Sequence, residues 1–211
     1  MTFKDRQDAG QQLAAKLSKY KNKADVIVIG LPRGGVVTAA EVAKELKVPL
    51  DIIVPRKIGA PGNPEFAIGA ITEDGEGIIN QDTVAMYGIP QDYIDSTIAE
   101  EKKEAERRLK SYRGDRLPLK LEGKTVLLVD DGVATGSTMR AAVASAKAKK
   151  AKKVVVAIPV IAADTVSTIE AESDEVIYVD APEWFGAVGR FYEEFDQTED
   201  EEVIEILSNS P

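Results

Sequence analysis

Along most of the chain, short continuous apolar runs alternate with stretches in which apolar residues recur every three or four positions. Val26-Ile27-Val28-Ile29 runs unbroken into Gly30, the pattern of a strand buried on both faces. Leu50–Val54, closed by Pro55, and Val126–Val129, Val154–Ile158 and Val176–Val179 read the same way. Residues 5–20 carry Leu13, Ala14 and Leu17 on one helical face, and 35–46, 136–150 and 163–171 are also predicted helices. A longer helix over 91–112 presents Ile94, Ile98, Ala105, Leu109 and Tyr112 at helical spacing, with a charged face opposite that reads as solvated. Phe66–Thr72 and Gly77–Asn80 flank Asp74-Gly75, a hairpin turn pair. Strands alternating with helices predict an α/β fold, a mostly parallel twisted sheet with helices on both faces. One domain is expected over 1–211: a core of about 24–180, an N-terminal helix in 1–23, and an aromatic, acidic tail over 181–211.

Composition narrows the chemistry. The 211 residues include no cysteine and no histidine, which excludes thiolate chemistry and any nucleophile activated by histidine. A zinc site would need carboxylates alone. A net charge of −9 argues against nucleic acid as a partner, yet leaves room for a small anion held by local cations and backbone amides. No stretch has the pattern of a signal peptide or a membrane span, so the expectation is a cytoplasmic protein with no membrane partner. The Lys- and Glu-rich composition is compatible with a heat-adapted source.

In parallel sheets, ligands bind beyond the C-terminal ends of the strands, and the loops after three of the predicted strands are unusual there. After Val129 come Asp130-Asp131-Gly132-Val133-Ala134-Thr135-Gly136-Ser137-Thr138. Small residues leave amides bare, the next helix starts near Ser137, and three hydroxyls converge with its positive end: a phosphate cradle. The two acids would repel that phosphate, so they suit sugar hydroxyls or a metal ion. A sugar 5-phosphate satisfies both ends. A helix cap plus a turn would explain one acid only. No lysine stands where a Walker loop needs one. A receiver domain would open on such a strand, but only about 80 residues follow, against ~120 for such a domain. The second loop, Pro32-Arg33-Gly34-Gly35, combines backbone that an anion can approach with a guanidinium fork. The third, Pro55–Pro64, begins with Arg56-Lys57, is dense in Gly and Pro, and is predicted to be a loop long enough to act as a lid.

Residues 126–138, VLLVDDGVATGST, resemble the signature of the type I phosphoribosyltransferases, departing from it at Gly132, where a branched apolar residue is usual. PRGGV, RKIGAPGNPE and DDGVATGSTMRAA together resemble a branch of that family whose acceptor is unassigned. The resemblance implies phosphoribosyl pyrophosphate as donor, a nitrogen base as acceptor, Mg²⁺ as cofactor and a homodimer. It implies that Val133, Ala134, Thr135, Gly136, Ser137 and Thr138 bind the 5-phosphate. Pro32, Arg33, Gly34, Gly35, Arg56 and Lys57 would bind pyrophosphate, with a cis or strained peptide at Leu31–Pro32 or Pro32–Arg33. Asp130 and Asp131 would hold the ribose hydroxyls, directly or through metal-bound water, and act in catalysis with Arg33 and Lys57.

The 6-oxopurine enzymes of the family carry Asp at the position of Ala134, so a hypoxanthine or guanine acceptor loses support here. The acceptor hood is expected from an end of the chain. In 180–192, Trp184 and Phe185 are the candidates for stacking on a base, and packing is the other reading of the tail aromatics. The N-terminal helix with Asp5-Arg6 is the rival hood. The same fold also serves regulators that bind this donor without turnover, and that alternative stays open.

Overall fold

The computed structural model describes residues 2–118 and 120–210, apart from the side chain of Glu65. Among the described residues eight strands run in chain order as β1 (Val26–Gly30), β2 (Leu50–Ile52), β3 (Arg56–Ala60), β4 (Asn63–Ile71), β5 (Gly77–Ile79), β6 (Thr125–Val129), β7 (Lys153–Val160) and β8 (Glu175–Asp180). The described residues also form seven α-helices: α1 (Arg6–Lys16), α2 (Gly34–Leu46), α3 (Gln81–Tyr87), α4 (Gln91–Arg113), α5 (Ser137–Ala148), α6 (Ala163–Glu172) and α7 (Asp200–Asn209).

The main sheet is wholly parallel, in the order β2-β1-β6-β7-β8. Its strands read as unbroken apolar runs because both faces are covered. Val26, Val28, Leu127, Val129, Val155 and Ala157 face a cluster supplied by α1, α2, α4 and α7. The alternate residues Ile27, Ile29, Val126, Leu128, Val154, Val156 and Ile158 face Met139, Val143 and Ile169 of α5 and α6. The order reverses at β1: α2 carries the chain out to β2, and the chain then returns to β6 on the other side of β1. Such a switch point opens a crevice at the C-terminal strand ends.

Two expectations are corrected. The Pro55–Pro64 segment is not a loop; β3 and β4 form an antiparallel hairpin, joined by β5 in a second sheet. Its glycines serve the pairing. Gly59 lies where a Cβ would come within 2.6 Å of Pro64, beside a register shift, and Gly62 turns the chain at φ +73°. Ile58 and Ala60 are then buried with Ile68, Ile89 and Ile94, which is why this stretch pairs instead of standing free as a lid. The second strand is also shorter than Leu50–Val54, ending at Ile52. Helix α3 buries none of its residues, so no apolar period announced it. No helix among the described residues is long and apolar enough to cross a membrane.

The small sheet is pinned to α5 by a charged cluster at its β4–β5 turn. Lys149 reaches Asp74 at 2.7 Å and Glu73 at 3.0 Å, Ser145 donates to Asp74 at 2.7 Å, and the Thr72 hydroxyl donates to the same carboxylate. Burial pushes the Asp74 carboxyl up, but Lys149 and the two hydroxyls outweigh it and leave it at about 2. A carboxyl whose folded value lies below its unfolded one stabilises the fold above the unfolded value and loses that stability as pH falls through the folded value. The loss here falls between about pH 4 and pH 2. Denaturant unfolding at pH 5 and pH 2.5 should therefore show a smaller drop for Asp74→Asn than for the parent, by about 1–2 kcal/mol. Equal drops would remove the cluster from the acid response.

Candidate functional site

β1 and β6 are adjacent and in register, Gly30 opposite Val129, so the loops that follow leave the sheet side by side. After β1 the chain passes Leu31 and Pro32 and enters α2 at Gly34; the Pro32–Arg33 peptide is cis. Arg33 gives α2 no side-chain cap, the Val36 amide turns back onto the Arg33 carbonyl at 3.1 Å, and the helix opens on Gly34 and Gly35. After β6 come Asp130 and Asp131, half-buried. The two loops meet at closest range here. A Cβ on Gly34 would lie 2.1 Å from Asp131 Oδ2, and one on Gly35 would lie 2.5 Å from Asp130 Oδ1. At Gly35 the Asp130 Cα would also lie within 2.8 Å, so backbone excludes a side chain there, whereas at Gly34 a side chain would displace the Asp131 carboxylate and the Arg6 guanidinium.

The acids share a demanding environment. Burial, then the charge of Asp131, pushes the Asp130 carboxyl well above the usual carboxylate range. Burial also raises Asp131, opposed by the Arg6 guanidinium, whose Nε donates to Asp131 Oδ2 at 2.7 Å. The Tyr192 hydroxyl donates to the Asp131 carbonyl, and burial together with the Asp131 charge raises its own proton affinity.

Beyond the acids, the loop is anchored on one side and bare on the other. Val133 bridges to Ile161 through hydrogen bonds to Val160 and from Ala162, and Thr165 Oγ1 donates to the Ala134 carbonyl at 2.5 Å. Gly136 turns at φ +75°, with Thr165 Cγ2 only 2.9 Å from where a Cβ would stand. Helix α5 starts at the next residue with no side-chain cap. The Ala134 and Thr135 side chains are exposed, and the Ser137 and Thr138 side chains stand half-exposed at the helix's positive end. This half of the site can hold an anion; the acid half can accept hydrogen bonds or meet a cation.

The remaining predicted residues are dispersed. Arg33 faces the start of α7, with Glu199 at 3.6 Å and Asp200 at 3.5 Å. Arg56 and Lys57 lie on β3 of the second sheet, Arg56 bonded to Glu101 of α4 at 2.7 Å. Trp184 is 91% exposed. Phe185 is packed into a cluster with Phe3, Val160 and Tyr192, its ring 5.0 Å from Phe191. Stacking on a base is thereby removed from Phe185, because the apolar floor beneath the tail already covers its ring.

Sequence reasoning left the hood to one terminus or the other, whereas the two termini pair with each other. Phe3 and Tyr192 form a parallel bridge, with Phe3 N donating to the Phe191 carbonyl at 2.7 Å. It also missed the contributions of Tyr192, Val188, Thr165, Glu199 and Asp200. The single signal available was Gly132. A Cβ there would lie 2.5 Å from Val188 Cγ1, so a side chain of the tail occupies the place next to the signature's one irregular residue.

A parallel sheet with this crevice, its acid pair and its capless helix at a glycine-rich loop defines the type I phosphoribosyltransferase class. The family profile described as the phosphoribosyl transferase domain matches residues 3–196, and the chain belongs to that family. Proteins of two Mycobacterium tuberculosis strains, provisionally named phosphoribosyl transferases, are 44% identical over 208 residues. The match takes in 99% of this chain and 47% of each relative, so the chain spans about half the length of these curated relatives. The crystal structure of TT1426 from Thermus thermophilus is similar over 98% of both chains, at 41% identity and a TM-score of 0.83.

The Gly132–Val188 contact generates a test. Gly132→Val should cost about 1–3 kcal/mol by overpacking, and Val188→Ala a similar amount by vacating the contact. The double variant should recover at least about 1 kcal/mol of the summed loss in a denaturation cycle. Strict additivity would mean that the two residues do not compete for one space.

Proposed function

We propose that the chain transfers ribose 5-phosphate from phosphoribosyl pyrophosphate to a nitrogen base, releasing pyrophosphate. The observation that carries this reading is the direct contact between Gly34-Gly35 and Asp130-Asp131, next to the α5 anion cradle. An anion site for each end of the donor thus flanks a polar site for its ribose.

In this mechanism, amides and hydroxyls of Ala134 through Thr138 fix the 5-phosphate. Asp130 and Asp131 accept hydrogen bonds from the ribose hydroxyls, and their negative potential favours positive charge developing at C1 as its bond to pyrophosphate lengthens. The bare first turn of α2, with Arg33, receives the departing pyrophosphate, and Arg56 and Lys57 add positive charge from the hairpin. Arg33 exchanges Glu199 and Asp200 for the phosphate oxygens, a small loss because both acids are substantially exposed.

No group of three or more potential protein ligands for a metal exists among the described residues. Two adjacent carboxylates nonetheless fit Mg²⁺, which keeps waters and substrate oxygens and uses only one or two protein carboxylates. Asp130 and Asp131 would hold it, directly or through water. When bound, it supplies charge neutralisation to the pyrophosphate.

The acceptor belongs to the nitrogen heterocycles, purine, pyrimidine or related. Ala134 offers it a methyl group and no proton acceptor. Exposed Trp184 is the remaining aromatic candidate for its face. Cytoplasmic location, a homodimer and the absence of a nucleic-acid partner complete the reading.

Incubation with donor, Mg²⁺ and a panel of bases should release pyrophosphate with at least one base. Donor binding with no pyrophosphate from any base would assign the chain to donor sensing instead. Gly136→Val should abolish donor binding in titration calorimetry, since a side chain there strains a left-handed backbone and meets Thr165. Glu100→Ala, on an exposed face of α4, should leave it unchanged. Equal behaviour of the two variants would move the site elsewhere.

A further inference from the structure

Arg6 is the first residue of α1, far in sequence from either loop, yet its guanidinium lies between them. Nε holds Asp131 Oδ2 at 2.7 Å, and a Cβ on Gly34 would come within 2.7 Å of the same Nε. Nη1 donates to the Asp196 carbonyl at 2.7 Å, and the guanidinium carbon sits 3.8 Å above the Phe195 ring. The Arg6 side chain is only 11% exposed and that of Asp131 only 14%, so this is an enclosed pair, unlike the loose surface pairs at Arg33. An enclosed, hydrogen-bonded charge pair fixes geometry strongly, and removing one partner leaves the other charge uncompensated.

We infer that Arg6 is a positioning residue for the ribose of the donor. It rests on the donor reading given above. Two neighbouring carboxylates repel, and the outer one would swing towards water if nothing held it. Arg6 takes one oxygen of Asp131 and so orients the carboxylate towards the crevice. Its own position is set from both ends of the chain. Asp5 caps α1 by accepting from the Asp8 amide at 2.8 Å, and the tail supplies Phe195 and Asp196. The ribose site is thus complete only when both termini are docked, which ties the hood to the donor.

The test separates ribose from pyrophosphate. Titration calorimetry on the full chain would use ribose 5-phosphate and pyrophosphate without Mg²⁺, and phosphoribosyl pyrophosphate with it. Relative to the parent, Arg6→Gln should weaken ribose 5-phosphate and the whole donor about ten- to a hundredfold, the loss of one charged hydrogen bond. Pyrophosphate, received by the other loop, should weaken clearly less than ribose 5-phosphate does, because Arg6 lies near Gly34 but bonds to Asp131. Arg6→Lys, which keeps the charge without the fork, and Phe195→Leu, which removes the stacking surface, should fall between. Ribose 5-phosphate binding to Arg6→Gln as tightly as to the parent would overturn the inference, and the donor reading would survive. Equal weakening of all three ligands would overturn it too, because a structural role alone predicts that result. A parent chain that binds none of the three would overturn the donor reading and this inference with it.

Discussion

The close approach of Gly34-Gly35 to Asp130-Asp131 is the contact around which the rest is arranged. It follows from the sheet: β1 and β6 are neighbours in register, so the residues beyond their ends must share one space. With the first turn of α2 pressed against the acids, a Cβ at Gly35 would meet the Asp130 backbone and one at Gly34 would displace the Asp131 and Arg6 side chains. The same closeness is an electrostatic benefit, because the unmasked amides of a helix N-terminus favour neighbouring negative charge. The glycines therefore serve two ends. They let the helix start flush against the carboxylates, and they keep its amides open to a further anion.

That arrangement concentrates negative charge where solvent is scarce, and the chain termini answer it. Burial disfavours ionisation of both acids, and Arg6 opposes this at Asp131. Arg6 could not be held by α1 alone, whose first turn is close to solvent. The tail brings Phe195 over its face and Asp196 onto its edge, while Phe3 and Tyr192 join the two ends by backbone pairing. Segments outside the core sheet thereby become part of its site. The paired termini thus set one largely enclosed guanidinium beside two half-buried acids.

The main sheet was legible because its strands are apolar on both faces, and a run such as Val126–Val129 admits few other readings. The glycine-rich loop after β6 was legible for a related reason: bare backbone before a helix leaves a compositional trace. The hairpin of β3 and β4 was not, because its glycines and prolines act in a bulge and a turn, where composition alone reads as loop. Arg6 was named with Asp5 only as part of a rival hood, and its bond to the acid loop was not legible. That bond joins positions 125 residues apart, and nothing in the period of α1 marks it. Phe185 misled in the opposite sense, since an aromatic next to a glycine suits a ligand and a buried cluster equally well until its neighbours are known.

Gly132 connects these observations. A side chain there would compete with Val188 for one space; the glycine leaves that space to the tail, which packs against the loop. Tyr192, four residues on, bonds the carbonyl just before that glycine, so the tail grips the acid loop at two adjacent points. A segment so attached cannot shift without disturbing Asp131. Changes in the tail would consequently be felt at the acid pair, and the motif's one irregular position is where that dependence enters the sequence.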